Sequence, residues 1–447
     1  MKKLLLAISA LILGLTVVSC GPTKNENVEG KVNFVGITDD NLETYYTYND
    51  DYFLTSATTF NTNLADVSLA LALTGAKAPG DNPMAYMEGF YNACKFTNIV
   101  ANEDFAKTPT ENTIGFAMAS KEINVNGNKY LLVSTNVRGF TYGAEWVSNF
   151  ELGESGNHQG FDKASDKVLA GIVDYVKKYN TNNLKLKYWL TGYSRAGAVA
   201  GLTASKLTDQ NREETNNIYA YTFEAPASRV SDKKYENIFN YVNPDDLVTK
   251  IIPSSFNLVR PGVDIDYTTR KDFDKMASYV AKLTKNVTLK KYSAQKPMST
   301  LITDLFKALF GDDGAFRKTY VTEYQSSIQF LINKVFSLTS AERTKLIDYF
   351  KSNLLSMVSV ISGKNKDSLK SLVINALNSA NVKYDSTQMN NALDKIANLV
   401  VDVFLNNVSG DDLAALLVNI NSIIQNHYCE VSLAYMRTKY TLQDTTK

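Results

Sequence analysis

Residues 188–202 read Tyr-Trp-Leu-Thr-Gly-Tyr-Ser-Arg-Ala-Gly-Ala-Val-Ala-Gly-Leu, with a single serine at position 194. The residue types predict a strand, a sharp turn at the serine and an alanine-rich helix. A strand and a helix that meet at so tight a turn need small residues two positions before and after the serine. Gly192 and Ala196 stand there, and Gly197 follows. The pattern predicts that Ser194 is a nucleophile presented at the edge of a sheet.

A serine hydroxyl becomes an effective nucleophile when a nearby base takes its proton, and imidazole suits that task near neutral pH. The chain contains only two histidines, His158 and His427. On folds that present a serine on this kind of turn, the acid and then the histidine follow the serine along the chain. His427 is therefore the predicted base. His158 precedes Ser194, and we interpret it as structural.

The acid is expected on a loop after a strand that follows Ser194. Residues 238–242 read as that strand, and the loop 243–248 contains Asp245 and Asp246. A buried carboxylate facing the imidazole would fix its tautomer and stabilise the imidazolium that forms. The residues alone leave both aspartates open.

The alternation of strand-like and helix-like runs between residues 31 and 253 predicts an α/β core with a mostly parallel sheet. We predict strands at 113–119, 130–136, 186–191, 218–223 and 238–242, and helices at 63–73, 85–96, 164–178 and 195–207. With the flanking chain, the core is expected to span residues 31–270.

Beyond residue 271 the strand signals end and apolar residues recur at helical spacing, as at Leu393, Ile396, Val400 and Phe404. The segment 339–342, Thr-Ser-Ala-Glu, predicts a capping box at a helix start. We expect a large helical insertion over 271–420 that caps the site, and a return to the core over 421–447 with His427. The apolar stripes are interpreted as helix packing, with a lipid-contacting face as the alternative.

The first 19 residues have the charged start and apolar run of a secretory signal peptide. They end in Val17-Val18-Ser19-Cys20, which resembles a bacterial lipobox, in which the cysteine is acylated. We therefore expect a lipid anchor on Cys20, a polar tether over 20–30 and an extracytoplasmic place in the cell envelope. An ordinary signal peptide or an uncleaved anchor is the alternative.

The composition gives no sign of nucleic-acid, metal or cofactor binding. The 447 residues carry a formal net charge of +1, and no Lys/Arg cluster marks a nucleic-acid surface. The scarcity of histidine and the lack of a recurring Cys/His spacing suggest no metal site, and no cofactor is expected. Cys94 and Cys429 could pair as a disulfide or remain as buried thiols.

Several blocks, in order, resemble the class 3 lipases, the α/β-hydrolases of the fungal triacylglycerol lipase type. They are Val137-Arg138-Gly139-Phe140 with Trp146 to Phe150, His158 to Phe161, Leu190 to Ala200, Tyr221 to Pro226, Asn243 to Pro253, and Asn426-His427-Tyr428 with Tyr435 downstream. The resemblance implies an α/β-hydrolase fold. It selects Asp246 as the acid, because Asp246-Leu247-Val248 has the family's Asp-x-Val spacing. It also implies that the backbone N–H groups of Arg195 and Phe140 form the oxyanion hole.

The sequence departs from the family pattern at four positions. Phe140 stands where the family usually has serine or threonine, Tyr193 where histidine is common, Arg195 where leucine is frequent, and Glu224 where glycine is usual. Phe140 keeps its N–H but lacks the hydroxyl contact, and its ring could narrow the acyl site. Arg195 and Glu224 should lie near the same sheet edge, which suggests a charge pair between them.

These features predict a surface-anchored carboxylic-ester hydrolase, lipase-like or phospholipase-like, with an acyl ester or lipid as substrate. Two alternatives remain at this stage. The same residues would serve acyl transfer to an acceptor other than water. A degenerate hydrolase fold could instead act as a binding lipoprotein, if Asp246 or His427 did not reach Ser194.

Overall fold

The computed structural model describes residues 25–36, 41–140, 143–230, 235–250, 252, 256–267, 271–284, 287–294, 296–310, 314–353, 356, 359–361, 363–405 and 410–439. The predicted signal peptide and Cys20 lie outside these residues. Strand β1 (Val28–Phe34) begins inside the predicted tether and pairs antiparallel with β2 (Leu42–Tyr48). Because β1 begins at Val28, folded structure starts before residue 31, and Val32 and Phe34 of this strand are buried in the core.

A seven-stranded sheet forms the centre of the molecule, in the order β3 to β9. Its strands are Thr97–Ala101, Phe116–Val125, Asn128–Val137, Lys185–Tyr193, Ile218–Phe223, Ile238–Val242 and Val263–Asp266. The pairs from β5 to β9 are parallel, whereas β3, β4 and β5 pair antiparallel. The predicted α/β class with a mostly parallel sheet is confirmed.

The strand predicted at 113–119 differs in its bounds, because β4 runs on to Val125 in a hairpin with β5. Asn126 and Gly127 form the turn, with φ values of 51° and 84° that asparagine and glycine tolerate. Thr113 precedes the strand, and its hydroxyl donates a hydrogen bond to Glu145. Side-chain contacts of this kind left no signal in the local sequence.

Helices cover both faces of the sheet. Helices α1 (Thr62–Leu73) and α2 (Ala85–Ala93) pack on one face with Trp189, whereas α3 (Gln159–Tyr179) and α4 (Arg195–Gln210) pack on the other with Leu190. Because Trp189 and Leu190 are neighbours on β6, their side chains point to opposite faces. Both are fully buried, as a sheet covered on both sides requires.

The helical part that follows the sheet lies between Asp246 and His427, as predicted. Its helices are α5 (Phe273–Thr284), α6 (Met298–Phe310), α7 (Ala315–Thr319), α8 (Gln325–Ser337), α9 (Ser340–Ser352), α10 (Lys366–Ser379), α11 (Ser386–Asn398) and α12 (Gly410–Gln425), and α13 (Cys429–Lys439) closes the fold. The predicted capping box is confirmed, with Thr339 and Glu342 bonded reciprocally at the start of α9. No helix within the described residues is long and apolar enough to cross a bilayer.

Helix α5 belongs with the core, although the predicted insertion begins at 271. Met276 and Val280 are fully buried in the same apolar cluster as α1, α2 and α13. The packing therefore starts the cap after α5. Within the cap, Leu393 is buried against Leu338, Leu377 and Met389, which agrees with the interpretation of its stripe as helix packing.

Candidate active site

The structure brings together Ser194, His427 and Asp246, the three side chains that were predicted from the sequence to react. The His427 ring lies between the other two, with Nε2 2.9 Å from Ser194 Oγ and Nδ1 2.7 Å from Asp246 Oδ2. Asp246 and Ser194 are buried, and the His427 side chain is 16% exposed. A serine, an imidazole and a buried carboxylate in this order can pass a proton from the hydroxyl to the ring.

The backbone at Ser194 has the conformation that its small neighbours suggested. Ser194 has φ 58° and ψ −128°, a sparsely populated region that costs of order 1–3 kcal/mol for a residue with a side chain. A Cβ atom on Gly192 would lie 2.4 Å from the carbonyl oxygen of Ala196, so only glycine fits there. The Ser194 N–H donates to the carbonyl of Phe223 on β7 at 2.7 Å, which ties the turn to the sheet.

The loop after β8 separates the roles of its two aspartates. Asp246 Oδ2 faces His427, while its Oδ1 accepts a hydrogen bond from the Val248 N–H at 2.8 Å. Asp245 Oδ1 instead accepts from the N–H of Met298, at the start of α6, at 3.0 Å. Asp245 therefore holds the cap to the loop, and Asp246 contacts the imidazole.

The turn that carries His427 connects α12 to α13 and is tied to both other segments of the site. The carbonyl of His427 accepts a hydrogen bond from the Tyr193 hydroxyl at 3.1 Å. The Asn243 side chain donates to Asn426 Oδ1 at 3.0 Å. These hydrogen bonds between Tyr193, Asn243 and the turn at His427 fix the relative positions of the segments that carry the three central side chains.

The predicted oxyanion donors lie beside Ser194. Arg195 is the first residue of α4, and Phe140 lines the same cavity as Ser194. A Cβ on Gly139 would lie 2.6 Å from the carbonyl oxygen of Tyr193, so glycine lets the chain pass this close to the turn. The assignment of the two N–H groups remains a prediction.

A buried cluster of charges behind the site was not predicted from the sequence. The Glu145 carboxylate pairs with Arg138, and its other oxygen lies 3.5 Å from Arg195 Nη1. Arg195 also donates to Ser148 Oγ from Nε at 3.1 Å and from Nη2 at 2.9 Å. All three charged side chains are essentially inaccessible to solvent. The expected partner of Arg195 was Glu224, and the structure gives it Glu145 and Ser148 instead.

Glu224 has its own set of partners. Its carboxyl group accepts a hydrogen bond from the Asn243 N–H and lies within hydrogen-bonding distance of the Tyr267 and Ser432 hydroxyls. Its φ is 50°, a left-handed backbone that favours glycine, which explains why glycine suits this position in the family pattern. Burial and the nearby Asp246 carboxylate raise the pKa of Glu224 well above its ordinary value.

A cavity of about 310 Å³ opens at Ser194. Besides Tyr193, Ser194 and His427, its mainly apolar walls come from three parts of the chain: Val35 and Gly36 after β1, the segment with Phe140 and Trp146, and Phe336 of the cap. The rings of Trp146 and Phe336 lie 6.4 Å apart at their centres. The cap therefore forms part of the wall of the site.

Arg317 of α7 fastens the cap to the core. Its guanidinium is buried and donates to the backbone carbonyls of Leu152, Gly153 and Gly156 at 2.7 to 2.8 Å. A nearby hydrogen bond joins the Leu152 N–H to Gln325 Oε1 at 3.0 Å. These contacts hold the cap against the loop that precedes α3.

His158 lies away from Ser194, at the N-terminal end of α3. Its Nδ1 accepts from the Phe161 N–H, its Nε2 lies 3.0 Å from the Asn149 carbonyl, and its ring stacks on Phe161. Burial lowers the pKa of His158 to about 3, so the ring is neutral. Its environment fits the structural role inferred for it.

The two cysteines of the core form no disulfide, and both are buried. Cys94 and Cys429 are separate buried thiols, which settles the choice left open above. Burial raises the pKa of the Cys94 thiol to about 12. Among the described residues, no cluster of three or more His, Cys, Asp or Glu side chains could hold a metal ion.

Comparison with known proteins finds a family match for the segment that contains Ser194. Residues 125–256 match the family model "Lipase (class 3)". The chain is 30% identical over 147 residues to secreted mono- and diacylglycerol lipase 1 of Fusarium solani, which is 29% of this chain and 42% of that relative. The chain thus spans less than half the length of this curated relative. The predicted resemblance to the class 3 lipases is confirmed over residues 125–256.

Solved structures of fungal lipases are also similar. Mono- and diacylglycerol lipase from Aspergillus oryzae shares 15% identity over 46% of this chain and 79% of its own, with a TM-score of 0.33. The triacylglyceride lipase of Rhizomucor miehei shares 18% identity over 45% of this chain and 78% of its own, with a TM-score of 0.30.

Proposed function

We propose, from the class 3 lipase match of residues 125–256 and the geometry around Ser194, that this protein is a serine hydrolase of carboxylic esters. The observation that carries the proposal is the line of hydrogen bonds from Ser194 Oγ through His427 to Asp246, at 2.9 and 2.7 Å. Both distances are those of well-formed hydrogen bonds.

The reaction would proceed by transfer of the acyl group to Ser194 and then to water. His427 Nε2 takes the hydroxyl proton as Oγ attacks the ester carbonyl, and Asp246 holds the ring by accepting from Nδ1–H. The charge on the carbonyl oxygen is stabilised by the N–H groups of Arg195 and Phe140. The protonated His427 then gives its proton to the leaving alcohol, and the same ring activates the water that releases the acid.

The proposed substrates are acyl esters of lipids, as for a lipase or a phospholipase. The support is the cavity at Ser194, whose aromatic walls include Phe140, Trp146 and Phe336. Such walls favour an apolar acyl chain over a charged or polar acid. The similar Fusarium solani protein is a secreted mono- and diacylglycerol lipase, which suggests acylglycerols as the first class to test.

We further propose that the enzyme acts outside the cytoplasm, held to a membrane by a lipid on Cys20. The support is the apolar leader and the Val-Val-Ser-Cys segment that ends at residue 20. An enzyme anchored in this way would meet lipid esters at the membrane surface.

The proposal is tested by measuring hydrolysis of p-nitrophenyl butyrate and of emulsified mono- and diacylglycerols. Ser194→Ala should lower kcat by on the order of 1000-fold or more, because the nucleophile is lost. Ser386→Ala, at an exposed serine of α11, is the matched control and should retain full activity. Equal hydrolysis by wild type and Ser194→Ala would exclude the mechanism. Transfer of the acyl group to an added alcohol in preference to water would favour an acyltransferase using the same residues.

A further inference from the structure

Glu224 is a second buried carboxyl group beside the proposed acid. It directly follows β7, is fully buried and has left-handed backbone with φ 50°. A side chain in that conformation destabilises the fold relative to glycine, so the contacts of Glu224 must offset a real strain. Among charged side chains, Asp246 has the largest effect on the pKa of Glu224, which it raises.

The carboxyl group of Glu224 contacts the segments that carry the acid and the histidine. Its Oε2 accepts from the N–H of Asn243, three residues before Asp246, at 2.9 Å. Its Oε1 lies 3.0 Å from Ser432 Oγ, on the helix that follows His427, and it also contacts the hydroxyl of Tyr267.

The contacts continue from there to the serine turn. Ser432 Oγ lies 2.9 Å from the Tyr267 hydroxyl and 3.1 Å from the hydroxyl of Tyr193, the residue before Ser194. Tyr193 in turn donates to the carbonyl of His427 at 3.1 Å. Glu224 is therefore linked to the neighbours of all three central residues.

A count of hydrogens indicates the charge state of this network. There are five short oxygen–oxygen contacts: Glu224 with Tyr267, Glu224 with Ser432, Tyr267 with Ser432, Ser432 with Tyr193, and Tyr193 with the carbonyl of His427. The three hydroxyl groups supply three hydrogens. A proton on Glu224 supplies a fourth, so that hydrogen bonds run in one direction from Glu224 through Tyr267, Ser432 and Tyr193 to the carbonyl of His427, and only the contact of Glu224 with Ser432 is left without a hydrogen. An ionised Glu224 would leave two contacts without a hydrogen.

We propose that Glu224 is a positioning residue that acts as a neutral carboxylic acid and locks the segments of Ser194, Asp246 and His427 together. The inference rests on the proposed function, since the arrangement matters for catalysis only if these three residues react. A neutral acid also leaves Asp246 as the carboxylate that faces the imidazolium.

The surroundings of Glu224 favour the neutral form. Burial and repulsion from the Asp246 carboxylate raise its pKa, and the ionisable side chains that join it in the hydrogen-bond network are the phenols of Tyr267 and Tyr193. Neither phenol supplies a positive charge, and the His427 ring pairs with Asp246. Ionisation would place a second negative charge next to Asp246 inside the protein, where charges are poorly screened.

The activity test compares two substitutions at Glu224 with p-nitrophenyl butyrate as substrate. Glu224→Gln can accept from the Asn243 N–H and donate to the hydroxyls, so kcat should stay within about threefold of wild type. Glu224→Gly relieves the backbone strain but removes the link, so kcat should fall on the order of 100-fold with KM little changed. A Glu224→Gln variant as slow as Glu224→Gly would overturn the neutral-acid role. A Glu224→Gly variant with wild-type kcat would overturn the positioning role.

Two spectroscopic measurements test the inference even if the variants show no measurable ester hydrolysis. The infrared difference spectrum of wild type minus Glu224→Gln at pH 7 should contain the C=O band of a protonated carboxylic acid, and its absence would overturn the assignment. The low-field proton resonance of His427 Nδ1–H should be present in wild type and Glu224→Gln and lost in Glu224→Gly, and its persistence in Glu224→Gly would contradict the positioning role. A wild-type protein that fails to hydrolyse any ester would refute the proposed function, while these spectra would still decide the state and role of Glu224.

Discussion

The adjacent residues Asp245 and Asp246 offer a stringent test of the proposed mechanism. Both side chains are fully buried, but they accept hydrogen bonds from different groups. Asp246 accepts from His427, and Asp245 from the N–H of Met298 in the cap. The substitutions Asp246→Asn and Asp245→Asn therefore make the same chemical change in the same loop, with only one of them facing the imidazole.

The expected effects differ by orders of magnitude. The amide of Asn at position 246 would donate to Nδ1 and leave the proton on Nε2, so His427 could no longer accept from Ser194. Loss of the correct tautomer lowers kcat by about 10⁴-fold in a serine hydrolase of this kind, which corresponds to about 5 kcal/mol of activation free energy. Asn at position 245 keeps an oxygen for the Met298 N–H, so kcat should stay within about threefold while the free energy of unfolding falls by about 1 kcal/mol.

The assay is kcat for p-nitrophenyl butyrate at pH 7.5, with urea unfolding of each variant to confirm that it is folded. The reasoning would be refuted if the two variants lost activity equally, or if Asp245→Asn were the more impaired. A folded Asp246→Asn variant that keeps a tenth of wild-type activity would also contradict it.

Three further expectations concern the buried charges, the cavity and pH. Glu145→Gln leaves Arg138 and Arg195 buried without a counter-charge and should lower the free energy of unfolding by about 3–5 kcal/mol, measured by denaturant titration. Phe336→Ala enlarges the cavity and should raise kcat/KM for longer acyl chains relative to butyrate, by up to about fourfold for each additional buried CH₂ in an ester series. Because the pKa of His158 falls from 6.5 in the unfolded chain to about 3 in the folded protein, its contribution to stability is present above pH 6.5 and is lost as the pH falls towards 3. Urea unfolding at pH 6.5 and 5 should therefore show a loss of up to about 2 kcal/mol in wild type, and a smaller one in His158→Gln.

The features that depend on local backbone geometry could be predicted from the sequence. Gly192 and Ala196 mark a turn that only small residues permit, and the buried strand and helix on either side have clear patterns. His427 could be selected because only two histidines exist. Asp246 was different, since its own loop offered two equivalent aspartates and only the family spacing separated them.

The features that could not be predicted depend on contacts between distant parts of the chain. Arg195 and Glu224 were expected to pair because both lie near one sheet edge, yet Arg195 turns towards Glu145 and Glu224 towards Tyr267 and Ser432. Side-chain direction at such positions follows from the packing of several elements, which no local pattern contains. For the same reason, the assignment of α5 to the core required the packing of Met276 against α13.

The most direct test of the central claim is covalent labelling with a fluorophosphonate, followed by peptide mass spectrometry. An activated serine oxygen attacks the phosphorus of the probe and stays covalently bound to it. We therefore expect one adduct, on Ser194, and its rate of formation should fall sharply in His427→Ala. No adduct is expected in Ser194→Ala. An unlabelled wild type, or an adduct on another residue that forms equally in Ser194→Ala, would contradict the assignment of Ser194 as the nucleophile.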